Sequence, residues 1–254
     1  MKALFTRIRN ISPALYYCGL AHLVLFVFLI IVAQFDHRQL MGINLWTKPI
    51  KFALSIAIYC LTWPLFLQYF SFEQLKRRFA RFTVFAMTFE MLAIASQAAR
   101  GQLSHYNTSG IYNSILFSVM GIVIVSQTLF ALYIGIRFFK VKPVQINPAL
   151  LWAIRMGIIM ACFFALEGGI MASRLAHTVG AADGGPGLPF FNWSRIAGDL
   201  RVAHFMGLHA LQIVPLFVMI TGTKNARPAI IFSVAFFVGV SFLFTNAMLG
   251  RPLF

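Results

Sequence analysis

The chain has 254 residues, of which 60% are hydrophobic and 11% are charged, and its mean hydropathy is +0.81. This composition lies far outside the range of soluble globular domains and indicates a protein that is embedded in lipid. Lysine and arginine total 21 against 6 acidic residues, but the basic residues stand in short clusters between apolar runs. Such clusters are typical of membrane-protein loops, so we expect the lipid bilayer as the partner and no nucleic acid.

The apolar residues form seven segments that are each long enough to cross a bilayer, since a span needs about 20 mostly apolar residues. The segments cover roughly residues 13–35, 49–70, 80–99, 114–138, 148–173, 201–222 and 229–249. We expect an all-α integral membrane protein in which one bundle of about seven transmembrane helices forms a single domain, residues 1–254. Pro64 and Pro215 lie inside the second and sixth segments and predict kinks there.

The orientation follows from lysine and arginine, which stay preferentially on the cytoplasmic side during insertion. One set of alternate loops holds twelve of them in compact clusters, and the other set holds eight, several at span ends. We therefore predict a cytoplasmic N-terminus and an outside C-terminus, in a bacterial inner membrane. The twelve are Lys2, Arg7, Arg9, Lys76, Arg77, Arg78, Arg81, Arg137, Lys140, Lys142, Lys224 and Arg227.

Three titratable residues inside the spans lie at a similar depth below the predicted outer side. Counting 1.5 Å of rise per residue from the nearest outer arginine places Glu90 about 15 Å deep, Glu167 about 10 Å deep and His209 about 12 Å deep. Ionisable groups inside a bilayer are costly and need a partner or a role. We predict that the three face one another and act as general base, ligand or proton site. The alternative is that their hydrogen bonds only hold helices together.

Six further polar residues are candidates for ligand binding around this layer. Three of them follow the layer residues at helical spacing, two are arginines at span ends, and one opens the glycine- and proline-rich loop at 183–189. That loop either covers the mouth of the bundle or is an ordinary tight connection. The six are Gln97, Arg174 and Gln212, then Arg100 and Arg201, and finally Asp183.

Three histidines near the same span ends, His105, His177 and His204, are candidate ligands for a metal ion or a haem iron. A hydrogen-bonding role at the membrane surface is the alternative for each, since no HExxH or CxxCH motif is present. His204 and His209 are about 140° apart around an ideal helix, so one small centre does not take both.

Two other patterns bear on the organisation of the bundle. Cys18, Cys60 and Cys162 lie inside apolar segments without paired spacing, and we interpret them as small core residues. Residues 90–100 and 167–177 share Glu, Ala, Ser and Ala at equal offsets. If these segments are repeats, Glu90 and Glu167 are equivalent groups.

The sequence leaves several classes of function open. One is an ionisable ligand or cofactor site in the outer half of the bundle, with metal or haem as candidates. Another is a small proton- or solute-coupled transporter that uses carboxylates within the membrane. A structural or assembly subunit is the third. The sequence does not decide whether the protein is an enzyme, because it contains no recognised nucleophile motif.

Overall fold

The computed structural model describes residues 2–141 and 146–253, so Lys142, counted above among the basic residues, lies outside the described residues. The described residues form ten helices and two small antiparallel sheets of two strands each. The chain divides into two compact units, Met1–Gln127 and Thr128–Phe254. We call them unit 1 and unit 2.

Unit 1 contains four complete helices, one small sheet and the first part of a fifth helix. Pro13 and Pro49 stand in the first turns of the second and third helices, where a missing N–H costs no hydrogen bond. The elements are α1 Lys2–Ile11, α2 Pro13–Phe35, β1 Gln39–Leu40, β2 Ile43–Asn44, α3 Thr47–Leu67, α4 Glu73–Ala99 and α5 Ile111–Phe138.

Unit 2 contains the rest of α5, five further helices and the second small sheet. Asn147 and Asn225 cap two of these helices, because each side chain accepts the N–H two residues later. The elements are α6 Pro148–Leu166, α7 Gly168–Arg174, β3 Thr178–Val179, β4 Gly198–Asp199, α8 Leu200–Leu208, α9 Ala210–Thr221 and α10 Ala226–Met248.

Within the described residues, six segments are helical, long and apolar enough to cross a membrane, counting α6 and α7 together. The pair α8 and α9 passes the same test but is bent by 49° at its break, so it adds a seventh if it is one span. The prediction of an all-α multi-pass membrane protein is confirmed. One boundary moves substantially, since α4 begins at Glu73 rather than near residue 80.

Helix α1 was not predicted as an element, because ten residues are too few to span a bilayer. Its apolar residues Leu4, Ile8 and Ile11 recur at helical spacing, while Arg9 lies on the opposite face. Ile8 is buried and Leu4 is exposed. The N-terminal basic cluster therefore belongs to a short amphipathic helix that precedes the first span.

Small residues bring α6 close to α8 and α9 in unit 2. A Cβ added to Gly157 would lie 2.9 Å from the Ala210 carbonyl oxygen, and one added to Gly207 would lie 2.2 Å from the Phe164 side chain. Close approach through small residues is the usual way in which membrane helices gain packing contacts. The same interface buries Ala153.

Both interrupted spans of unit 2 break at a titratable residue. Glu167 separates α6 from α7, and His209 separates α8 from α9. The bend of 49° thus lies at His209, six residues before Pro215, whereas Pro64 lies inside the continuous helix α3.

Candidate functional site

Glu167 is a buried carboxylate at the break between α6 and α7. Gly168 and Gly169 follow it, and each glycine weakens a helix by about 1 kcal/mol relative to alanine. The residue is 6% exposed, and neither of its carboxylate oxygens has a hydrogen-bond partner among the described residues. An unpartnered carboxylate buried among apolar helices either carries a proton or accepts a cationic ligand, because a bare charge is too costly.

His204 packs against the same break from α8. Its Nδ1 lies 2.8 Å from the Phe164 carbonyl oxygen, which the break frees from the usual helical bond to residue 168. Because a carbonyl oxygen only accepts, Nδ1 donates this hydrogen bond, and Nε2 is the nitrogen left for a ligand or a proton. A Cβ on Gly168 would lie 3.4 Å from His204 Cε1, so the ring touches the residue next to Glu167.

His209, at the second break, is half-buried and lies 3.2 Å from Gln212 Oε1 through its Nδ1. The predicted pairing of His209 with Gln212 is present. The ring of His209 also packs against Phe205, with centroids 4.4 Å apart. Phe205 in turn contacts Trp193 of the 175–199 loop at 5.6 Å. An aromatic path therefore joins this loop to the break at His209.

Glu90 is the corresponding buried carboxylate of unit 1. It lies within α4, is 5% exposed, and its Oε1 has no hydrogen-bond partner among the described residues. Lys48, at the start of α3, lies within electrostatic range of it. The burial of Glu90 and Glu167 agrees with the expectation that neither faces lipid. That Glu90, Glu167 and His209 face one another stays a prediction.

Gln97 and Arg100 are used in a buried hydrogen-bond network where α4 ends and α5 begins. Gln97 Nε2 donates to Asn113 Oδ1 at 2.9 Å, and Arg100 donates to Gln97 Oε1 at 2.9 Å. The Arg100 guanidinium also stacks over Tyr112. Asn113 in turn donates to the Ser109 carbonyl at 2.8 Å. These contacts hold the 100–110 loop, and none of them involves Glu90.

In unit 2 the 175–199 loop is built around Asp183 and His177. The carboxylate of Asp183 accepts the backbone N–H groups of His177 at 3.2 Å and Thr178 at 2.8 Å. It also lies 3.3 Å from His177 Nδ1. Asp183, predicted as a binding residue, therefore closes the turn that leads into β3.

Asp199 anchors the other end of this loop. It accepts hydrogen bonds from the Ser194 N–H at 2.8 Å and from Arg201 Nε at 2.9 Å, and it caps α8 through the Arg201 N–H. Arg201 also donates to the Asn192 carbonyl. Burial alone would raise the pKa of Asp199, but the Arg201 hydrogen bonds and charge, the Ser194 N–H and the His177 charge together lower it below its ordinary value.

The turn between α2 and α3 holds a similar ion pair. Asp36 accepts from Arg38 at 2.7 Å and from the Trp46 indole N–H at 2.9 Å. These hydrogen bonds, the Arg38 bond first, hold the pKa of Asp36 well below its usual range. Arg38 also donates to the Ala99 carbonyl at 3.2 Å and so ties the turn to the end of α4.

Arg174 and His105 are the remaining candidates. Arg174 is exposed at the end of α7, and neither oxygen of Glu167 is bonded to it or to any other described residue. His105 lies 3.1 Å from Ser104 Oγ and packs against Phe52. Across the described ranges there is no group of three or more His, Cys, Asp or Glu side chains that could hold a metal ion.

An open groove on unit 1 is lined by other residues. It has a volume of about 750 Å³ and is lined by α1, including Lys2 and Arg7, and by Gln68. It contains none of the predicted site residues.

No protein-family model, no curated protein and no solved structure matches this chain. Only the chemistry of the site itself therefore bears on function.

The apolar pattern of the sequence does not predict the two breaks or the carbonyl of Phe164 as parts of the site. Gly168-Gly169 was the available signal for the first break. The sequence offered no comparable signal for the contact of His204 with Phe164, which joins residues 40 positions apart.

Proposed function

We propose that the protein binds a proton or a small cationic solute at Glu167, and that this site serves proton- or solute-coupled transport. The observation that carries the proposal is the buried carboxylate of Glu167, whose two oxygens have no hydrogen-bond partner among the described residues. Buried polar groups normally have partners, and exceptions call for an unplaced ion, a water or a functional role.

The interruption of two spans supports transport over a purely structural role. Discontinuous helices within a membrane bundle free backbone groups for ligands and let half-helices move, and transporter binding sites are commonly built this way. Here the freed Phe164 carbonyl is taken by His204, which places a second titratable group beside the Glu167 break. Glu90 is a second carboxylate of the same kind in unit 1.

Three finer features belong to the same proposal. We place α8 and α9 in one bent span, which gives seven spans with the N-terminus in the cytoplasm and the C-terminus outside. The alternation of the basic clusters supports this orientation, and it fits a bacterial inner membrane. A cofactor site with metal or haem and a role in assembly remain the competing functions.

The test is proton flux in liposomes that contain the purified protein and a pH-sensitive dye, driven by a potassium diffusion potential. Because the amide of Glu167→Gln keeps the shape but does not titrate, we expect flux to fall about tenfold or more. Thermal stability should stay within about 2 °C of the parent. The matched control is Glu73→Gln, since Glu73 is exposed and pairs with Lys76 at 2.7 Å.

Two outcomes would contradict transport through Glu167. One is flux in the parent no greater than in protein-free liposomes, and the other is equal flux in the parent and Glu167→Gln. A panel of small organic amines, screened by thermal stabilisation of the parent, extends the test to cationic solutes.

A further inference from the structure

Two cysteines from different helices meet in the core of unit 1. Cys18 of α2 and Cys60 of α3 have their sulfur atoms 3.6 Å apart, and the Cys60 thiol donates to Cys18 Sγ. Both thiols are free, and both residues are buried. Cys18 lies five residues after the start of α2, and Cys60 lies seven before the end of α3. Both sulfurs therefore lie about 8 to 10 Å from the same side of unit 1.

His22 makes this pair unequal. One turn after Cys18 on α2, its Nδ1 lies 2.8 Å from the Cys18 carbonyl oxygen and 3.7 Å from Cys18 Sγ. A carbonyl oxygen only accepts, so Nδ1 carries a proton, and this N–H group lies beside the sulfur. Cys18 Sγ is thus approached by two donors, while the Cys60 thiol donates its proton. This asymmetry marks Cys18 as the sulfur of the pair that reacts first.

Simple packing of small core residues accounts for burial but not for this arrangement. Cys162 of α6 shows what an ordinary core cysteine looks like in this chain, because it is buried and makes no hydrogen bond to the described residues. His22 is a polar side chain only 5% exposed, and its Nδ1 is hydrogen-bonded to the Cys18 carbonyl oxygen. A buried imidazole in an apolar span is costly unless it has such a role.

We propose that Cys18 and Cys60 form a redox-active dithiol that a hydroperoxide converts to a disulfide between α2 and α3. Cys18 attacks the peroxide oxygen, the O–O bond breaks, and Cys18 becomes a sulfenic acid with release of water or an alcohol. Cys60 then attacks the sulfenic sulfur and releases water. The two thiols lose two electrons to the peroxide, and their protons leave in the released products. The sulfurs need to approach from 3.6 Å to about 2.05 Å.

The burial of Cys18 and Cys60 determines which class of oxidant can reach them. Cys60 is fully buried and Cys18 is 7% exposed, so the oxidant must be small and must reach Cys18 first. Both sulfurs lie within apolar spans, which a neutral molecule such as hydrogen peroxide enters more readily than a charged one. On the predicted orientation this side faces the cytoplasm, where resting thiols are kept reduced.

The test is peptide and intact mass analysis of the full-length, detergent-solubilised protein after hydrogen peroxide, in a Cys162→Ser background. We expect the protein to lose the mass of two hydrogen atoms, to give a cross-linked peptide pair containing Cys18 and Cys60, and to return to the starting mass with dithiothreitol. With Cys60→Ser added, Cys18 should instead gain oxygen. With Cys18→Ser added, Cys60 should stay a thiol. Thermal unfolding of each variant verifies that it is folded.

The His22→Leu variant adds a rate measurement, and this rate would not change if His22 served only in packing. It should slow disulfide formation about tenfold or more while the same cross-linked product forms, because only the activation of Cys18 is lost. Three results would overturn the proposal: two unreacted thiols after peroxide, oxygen added to both cysteines without a cross-link, or equally fast oxidation of Cys60 when Cys18 is serine.

Discussion

At the scale of single residues, Asp199 is the side chain whose removal should most disturb the 175–199 loop. It accepts from Ser194, caps α8 and pairs with Arg201. Asp199→Asn keeps the size but removes the charge, and we expect the free energy of unfolding to fall by about 2 kcal/mol. Thermal unfolding in detergent measures it, with Glu73→Gln as the exposed control. Equal midpoints for Asp199→Asn and the parent would show that the loop does not depend on this carboxylate.

The same residue predicts a pH dependence with a definite sign. The pKa of Asp199 is lowered in the folded protein. Its contribution to the free energy of unfolding is therefore fully present above the ordinary aspartate pKa of about 3.9. That contribution is lost as the pH falls from about 3.9 through the lower pKa of the folded protein. The parent should therefore lose the advantage over Asp199→Asn below about pH 4. Limited proteolysis of the 175–199 loop at a series of pH values measures this loss of stability. A stability difference between the parent and Asp199→Asn that does not change with pH would contradict the prediction.

Residue identities alone were enough to predict part of the candidate site. A carboxylate within an apolar span is costly, and this was enough to single out Glu90 and Glu167, which are both buried. The partners were not predictable in the same way. Cys18 and Cys60 are 42 residues apart in the chain, and their contact depends on how α2 packs on α3. The sequence alone therefore predicts only two separate core residues.

At the scale of elements, the close packing of α6 and α8 depends on Gly207. A Cβ there would lie 2.2 Å from the Phe164 side chain, so Gly207→Ala should overpack the interface and lower the free energy of unfolding by about 1 to 3 kcal/mol. The matched control is Gly239→Ala in α10, where a Cβ meets nothing within 4 Å. The control should be neutral or up to about 1 kcal/mol more stable, because alanine favours helix.

Thermal unfolding of the two variants side by side tests whether the close packing of α6 and α8 depends on Gly207. Equal effects of Gly207→Ala and Gly239→Ala would mean that α6 and α8 do not need this close approach. Preferential destabilisation by Gly207→Ala supports the contact that brings His204 to the Phe164 carbonyl.

The helices were largely predictable because length and apolar content are nearly sufficient in a membrane. The first segment, 13–35, coincides with α2. Interruptions are harder to predict, since a break of one residue leaves the apolar pattern unchanged. The proline at 215 suggested a kink in the right span, but the bend is at His209.

At the scale of the whole molecule, the orientation remains a prediction with a direct test. Reporter fusions placed between α3 and α4, between α5 and α6, and between α9 and α10 should all report cytoplasm, because the basic clusters lie there. A fusion at the C-terminus should report the outside. An outside loop between α9 and α10 together with a cytoplasmic C-terminus would mean that α8 and α9 do not cross the membrane as one span.

The composition was sufficient to predict a multi-pass bundle, because few architectures satisfy backbone hydrogen bonds in lipid. It was not sufficient to predict function, because the polar groups that distinguish a site from interhelical glue are identified by their partners. Glu167 differs from Gln97 in this respect. Gln97 is bonded to Asn113 and Arg100, whereas the oxygens of Glu167 have no partner among the described residues.

The central claim is that Glu167 is a site for a proton or a cation, and infrared difference spectroscopy of the purified protein across buffer pH tests it most directly. We expect a carboxyl band that titrates with pH, is missing from Glu167→Gln and is retained in Glu73→Gln. Identical difference spectra for the parent and Glu167→Gln would contradict the claim, because Glu167 would then exchange no proton with its surroundings.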